Sequence, residues 1–446
     1  MDLERALDVA RRPLCLFGQS DPSLADRVAD LAGEDVSPVQ ELDGGQQLRV
    51  VDILLSLAVA TAPKIDNSEL YDVYCRWAQL RYLGAFEAHG AMGDRLGLSP
   101  IGAAVAANQR RVFSEELGIG FATWLSRHWR LPGTSDSGAT RQLVDADLAW
   151  KFGVNGTHIL PIGLRRPDYV IAQQNIDGSS TLAFLECKGT SNPNTALRQL
   201  AKASEQLASG RVDNVRPSGL AISTVMNDKV MKYLAIQRRW NDALEMPCPR
   251  PTKGPDADLD SEQQQEPVDR FTARAWEDEP PMPETGAPSV RLPEFGDLQE
   301  ALASGEVAGA GGALGRATSA TMVASWSALA DLAGNEEAFV RWTYNSGRPS
   351  RASRQPRART EFITTGRDII RGVSSIVAVP GGRLEVVLGI LDFVDDALTN
   401  GSSTAIIDAQ RHAESLTTNT AISVLQADDQ VTAYGEDGSA LVIRGV

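Results

Sequence analysis

Three side chains in the middle of the chain could do chemistry by their type and spacing: Asp168 in "RRPDYVIAQ", and Glu186 and Lys188 in "TLAFLECKGTSN". Both stretches are strand-like, and the intervening "NIDGSS" is turn chemistry, so they are expected to pair as an antiparallel hairpin. A turn centred on Asp177 and Gly178 sets residue 168 opposite 186 or 187. Side-chain alternation then puts Leu182, Phe184, Glu186 and Lys188 on one face, with the apolar pair anchoring the strand and the charged pair at its end. Two neighbouring carboxylates in a partly buried place repel each other, and a lone lysine beside them is costly to bury. A divalent cation resolves the conflict. Carboxylate oxygens of Asp168 and Glu186, with the main-chain carbonyl of Cys187, are the hard donors that Mg²⁺ or Mn²⁺ accepts. Such an ion polarises a phosphodiester and acidifies a bound water, while the Lys188 ammonium orients that water or offsets charge developing on phosphorus.

The elements that must position these residues follow an order that carries a resemblance. Pro167 and Asp168 in "RRPDYV", with Glu186, Cys187 and Lys188 in "FLECKGT", resemble the motif of the PD-(D/E)xK nuclease superfamily, the restriction-endonuclease-like fold. The resemblance covers about residues 105 to 240 and implies an α/β fold with a mixed β-sheet core flanked by helices. It implies Asp168 and Glu186 as metal ligands and Lys188 as the catalytic lysine. Upstream, "RRVFSEELGIGFATWLSRHW" looks like the family's first helix, which often offers an acidic residue to the site, here Glu115 or Glu116, with Glu116 preferred. Downstream, "NPNTALRQLAKASEQLASG" looks like the helix after the lysine, where Gln199, Lys202 or Gln206 faces the site; Gln199, Ala203 and Gln206 share one stripe. "GLAISTVM" is expected to extend the sheet, and "NDKVMKYLAIQRRW" to cover it as a further helix. The implied activity is Mg²⁺- or Mn²⁺-dependent hydrolysis of nucleic acid, DNA before RNA. The alternatives are an RNA-directed nuclease, or a nucleic-acid-binding or assembly module of the same fold that is inactive without a partner.

Composition bounds this reading. The chain has 446 residues, 42% hydrophobic and 23% charged, which is enough for two or three domains with real cores. Its net charge of −15 argues against a protein that coats nucleic acid, but the charge is uneven. Residues 101 to 240 hold 17 Lys and Arg against 11 Asp and Glu, a net +6 that leaves −21 for the remainder. The N-terminus shows no signal-peptide pattern, and "VVDILLSLAVATAP" is too short to span a bilayer. Cys15, Cys75, Cys187 and Cys248 form no CxxC pair, which fits a reducing cytoplasm and argues against a Cys/His zinc site. His89, His128, His158 and His412 are scattered, and neither a GxSxG elbow nor a GxxxxGK[ST] loop occurs. His158 reads as structural, and Arg165 and Arg166 either flank the scissile backbone or are solvated.

Four regions are expected. Residues 1–104 read as mainly helical, with Trp77, Tyr82 and Phe86 on a core-facing stripe. Residues 105–244 hold the nuclease-like motif. Residues 245–297, with ten of the 23 prolines in 246–296 and many acidic side chains, read as a linker that could offer a protein partner a docking segment. Residues 298–446 read as an α+β accessory domain, also a possible partner surface, with hairpins around "VPGGR" and "GEDGS". Within it, "GAGGALGR" lacks the strand and acidic residue of a dinucleotide fingerprint. "GRPSRASRQPRART", carrying Arg348, Arg351, Arg354, Arg357 and Arg359, reads as a solvated loop, with phosphate contact or binding to the acidic linker as alternatives. An unrecognised half appended to such a nuclease looks similar to restriction or phage-defence effectors.

Overall fold

A computed structural model describes residues 3–62, 80–132, 140–146, 149, 159–161, 166–174, 180–212, 216–227, 230–238, 313–343, 358–364, 366–379, 382–420 and 430–446. In chain order the first half contains α1 (Leu3–Arg11), β1 (Leu14–Gln19), α2 (Pro22–Ala32), β2 (Gln46–Leu48), α3 (Val50–Ala60), β3 (Phe86–His89), β4 (Arg95–Leu98), α4 (Pro100–Ala103) and α5 (Ala107–Leu125). It continues with β5 (Thr140–Asp145), β6 (Ile159–Pro161), β7 (Tyr169–Gln174), β8 (Ser180–Thr190), α6 (Pro193–Ser209), β9 (Gly210–Val212), β10 (Ser218–Val225) and β11 (Lys232–Arg238). Local chemistry sets the helix ends. The Asp21 side chain accepts from Leu24 N–H with Pro22 in the first turn, and Gly33 closes α2 at φ 64°. Asn192 caps α6 ahead of Pro193.

Eight of these strands lie in the order β3-β4-β1-β11-β10-β8-β7-β5, and β2 joins them as the ninth by pairing with β1. β7 and β8 form the antiparallel hairpin expected around the motif, while β8 runs parallel to β10 with α6 as the crossover that parallel pairing requires. Period-two alternation then sorts the core. Ala183, Leu185 and Cys187 of β8 are buried with Phe113, Leu117 and Phe121 of α5. Leu182 and Phe184 are buried with Leu200, Ala203 and Leu207 of α6 and Leu24 of α2.

Two expectations change. "NDKVMKYLAIQRRW", expected to be a helix, is strand over Lys232–Arg238, antiparallel to β10 and parallel to β1. A strand inside a sheet covered on both faces loses the alternation that would reveal it, and Tyr233, Ala235, Ile236 and Gln237 are all buried. The N-terminal region supplies helices but also β1 to β4, so β1 lies inside the large sheet.

The C-terminal half contains α7 (Ala313–Leu332), α8 (Glu336–Thr343), β12 (Thr360–Ile363), β13 (Ile369–Val379), β14 (Gly382–Leu391), α9 (Asp392–Asn400), α10 (Ser403–Thr420), β15 (Gln430–Tyr434) and β16 (Ser439–Gly445). Both expected hairpins form within an antiparallel sheet of order β12-β13-β14-β16-β15. One face of it, with Leu384, Val386, Val431 and Leu441, shares a buried cluster with Leu54 and Leu55 of α3 and Leu7 of α1. The other face, with Val387, Ile390 and Val442, packs on Trp326, Phe339 and Trp342. α3 is apolar almost all round because it lies between α5 and this second sheet.

Tyr82 and Phe86 are buried and meet Phe113 and Phe121 edge-on, as core residues. Arg359 is tied down by Asp395 at 2.7 Å and by the Ala333 carbonyl, and the last four residues of "GAGGALGR" open α7. Trp77, His158, Arg165, the Asp177–Gly178 turn, the linker at 245–297, and Arg348, Arg351, Arg354 and Arg357 lie outside the described residues. Among the described residues no helix is long and apolar enough to cross a membrane.

Candidate active site

β8 outruns its partner. The β7–β8 ladder stops at Tyr169 opposite Leu185, whereas β8 stays paired with β10 as far as Thr190 opposite Val225. The two carboxylates finish the shortened ladder. Asp168 N–H donates to Glu186 Oε2 at 3.0 Å, and Cys187 N–H donates to Asp168 Oδ2 at 2.9 Å. Each carboxylate thus accepts a main-chain N–H from the other's strand, which orients both and sets 168 against 186. Lys188 Nζ donates to Glu186 Oε1 from the same strand face, two residues on.

The electrostatics of this trio are incomplete. The Glu186 side chain has no exposure and that of Lys188 is 23% exposed. Burial raises the Glu186 carboxyl well above its ordinary range, and the Asp168 charge adds to the rise. Burial also raises Asp168, against the pull of Lys188 and the Cys187 N–H. For Lys188 burial acts downward, but the Glu186 and Asp168 carboxylates outweigh it, and the ammonium form is favoured. Two carboxylates share one ammonium, and that ammonium pairs with Glu186; among the described residues no basic side chain forms an ion pair with Asp168.

Asp168, Cys187 and Lys188 line a cavity of about 430 Å³ where the sheet opens between α5 and α6. Gln199 of α6 reaches it, and its Oε1 is buried with no hydrogen-bond donor. Lys202 is exposed, and neither it nor Gln206 lines the cavity.

The position of α5 depends on two glycines. A Cβ on Gly189 would lie 1.7 Å from the Ser114 carbonyl oxygen, and one on Gly118 2.7 Å from Gly189 Cα, so helix and strand backbones touch directly. That contact decides which glutamate faces the site. Glu115 lines the cavity and pairs with Arg111 at 2.9 Å. Glu116, the preferred choice from sequence, points elsewhere: it accepts from Tyr82 Oη and pairs with Arg81 at 3.5 Å. Adjacent helical residues diverge by about 100°, so only one of the two can face the opening.

Asp145 also lines the cavity and was not found from sequence. Its signal was available, since "TRQLVDAD" ends an alternating strand on a carboxylate much as "TLAFLECK" does. Arg166, noted beside the motif, is exposed at the cavity.

The donors suit a hard cation: carboxylate oxygens of Asp168 and Glu186, the Cys187 carbonyl, and a Gln199 oxygen that lacks a donor. Among the described residues no group of three or more His, Cys, Asp or Glu side chains stands at metal-binding spacing, so side chains and main chain would have to act together. No protein-family model matches the chain, and neither curated proteins nor solved structures give a match.

Proposed function

We propose that the chain is a divalent-cation-dependent nuclease of the PD-(D/E)xK kind, hydrolysing phosphodiester bonds of nucleic acid, with DNA as the favoured substrate. The observation that carries this reading is the reciprocal clasp of Asp168 with the buried Glu186 across β7 and β8, beside a cavity that Asp168, Lys188 and Gln199 line. The succession of α5, the β7–β8 hairpin, α6 and β10 supports it, because that is the order the motif requires around itself. The +6 balance of residues 101–240 in a chain of −15 supports an anionic substrate at this part of the surface.

In this reading Asp168, Glu186, the Cys187 carbonyl and Gln199 would hold Mg²⁺ or Mn²⁺. When bound, the cation supplies Lewis acidity toward a phosphoryl oxygen and toward water. Asp168 and Glu186 are pre-oriented by main-chain N–H groups, so little reorganisation is needed on binding. Lys188, whose ammonium pairs with Glu186, would hold a proton or a phosphate oxygen at the scissile position. Arg166 offers a second cationic contact to the backbone at the cavity mouth.

The test is cleavage of double-stranded DNA, single-stranded DNA and RNA by full-length protein with Mg²⁺, Mn²⁺ or chelator, set beside Lys188→Ala. Cation-dependent cleavage that is lost in the variant is the expected result; cleavage that survives in Lys188→Ala protein rejects the site. The Lys188–Glu186 ion pair favours one second reading, a resting module whose lysine is freed only by a partner. Salt-dependent nucleic-acid binding without cleavage under every cation condition would select it.

A further inference from the structure

We infer that Arg198 and Lys202 of α6 form a cationic rim that binds backbone phosphates of DNA beside the cavity. The inference deepens the nucleic-acid part of the reading above and rests on it. α6 buries Leu200, Ala203 and Leu207 in the core beneath it, which fixes its opposite side outward. Gln199 stands at the edge of the buried face and lines the cavity. At about 100° per residue, Arg198 lies one step outward from Gln199, and Lys202, three residues on, falls on the same outward side. Both are exposed. Being four residues apart, they are surface neighbours, about 5–6 Å apart at their Cβ atoms.

The protein itself makes no use of this pair of charges. Nearer the cavity, Lys188 is held by Glu186, and Arg111 by Glu115 at 2.9 Å. Among the described residues Arg198 and Lys202 form neither an ion pair nor a side-chain hydrogen bond, and Glu205, a turn beyond Lys202, does not pair with it. The positions that could neutralise them, four before Arg198 and four after Lys202, hold Asn194 and Gln206. Like charges at this spacing weaken a helix, so α6 gains nothing from carrying them. A solvated helix face mixes its signs, as Asp408 and Arg411 of α10 do at 3.0 Å. Two unpaired cations at a cavity rim, in a chain of net charge −15, complement a polyanion whose charges recur along a line.

The test is fluorescence anisotropy of a labelled DNA duplex with full-length protein, titrated with KCl in EDTA and again in Ca²⁺. Wild type is set beside Arg198→Ala, Lys202→Ala, the double variant, and Arg383→Ala, which removes another exposed cation from the second sheet. Each rim variant is expected to make the slope of log affinity against log salt shallower by about one, and the double variant by about two. Arg383→Ala leaves the slope unchanged. Alanine is the best helix former, so the rim variants should melt with wild type. An unchanged slope in the double variant overturns the rim, and Mg²⁺-dependent cleavage by wild type would still leave the nuclease reading standing. An equal change in Arg383→Ala makes the effect one of net charge and also overturns the rim, as does wild type that binds no duplex in either condition. A shallower slope in the rim variants, with wild type that cleaves under no cation condition, upholds the rim and rejects the nuclease reading.

Discussion

Strand β5 has a charged cavity at each end. Beyond Asp145 lies the opening shared with Asp168 and Lys188; around Arg141 lies a second cavity of about 290 Å³, lined also by Glu41, Glu414 and Glu436. Both hold charge of both signs, but they differ in how completely it is used. Arg141 donates to the Ser126 carbonyl at 2.7 Å, to the Arg127 carbonyl at 3.0 Å, and to Gln173 Oε1 at 2.9 and 3.2 Å. All three of its nitrogens are engaged, two of the bonds closing carbonyls at the end of α5. Beside it, Gln142 bonds Gln410 at 2.9 Å and accepts from Ser325 at 2.6 Å, tying β5 to α10 and α7. At the other end, among the described residues, Asp168 forms no ion pair and Gln199 Oε1 has no donor. Charge in a cavity alone therefore marks neither a site nor a scaffold; on the proposed reading, incomplete partnering is what separates the two.

The comparison can be broken experimentally. Asp168→Asn or Lys188→Ala is expected to lower cation-dependent cleavage by about 10²–10⁴-fold, measured as initial rates on plasmid DNA. Asp168→Asn should leave the melting temperature in EDTA unchanged or higher, because it removes a carboxylate that burial already disfavours. Gly189→Ala strikes the frame of the same cavity: its methyl has no room against Ser114, so urea unfolding should show a loss of about 3 kcal/mol or more. Arg141→Met should cost about 2–4 kcal/mol by the same measurement, through unpaired carbonyls and the loss of both bonds to Gln173 Oε1. Its cleavage per folded molecule should stay at the wild-type level. Activity lost at unchanged stability would instead make the second cavity functional and erase the distinction.

The same contrast explains what could be read from sequence. Asp168, Glu186 and Lys188 were legible because opposite charges at the end of an apolar strand break its pattern, and a period of two fixes their face. The register was legible because a short turn leaves few alternatives. Glu115 against Glu116 was not, since the helix rotation is set by the touching of Gly118 and Gly189, a long-range contact without local pattern. β11 was missed because burial on both faces erases alternation, and β1 because its parallel partner β11 lies more than 200 residues along the chain. The Arg141 clamp joins residues 126, 127, 141 and 173, and only the folded sheet brings them together.

The smallest expected effect concerns Glu414, on the rim of the Arg141 cavity. Burial and the neighbouring Glu436 raise its carboxyl to about 7, against the opposing pull of Arg141 and Arg411. Because the folded value lies above the unfolded one, the folded state holds the extra proton between about pH 4.5 and 7. The associated stability is fully present below that window and is lost as pH rises through it. At a side chain partly open to solvent the change amounts to about 1–2 kcal/mol after screening. Glu414→Gln stays neutral throughout, so its stability relative to wild type should grow as pH is raised through the window, followed by urea midpoints across that range. A flat difference would mean that Glu414 ionises without penalty, and the second cavity would then be open to solvent rather than the closed scaffold its hydrogen bonds describe.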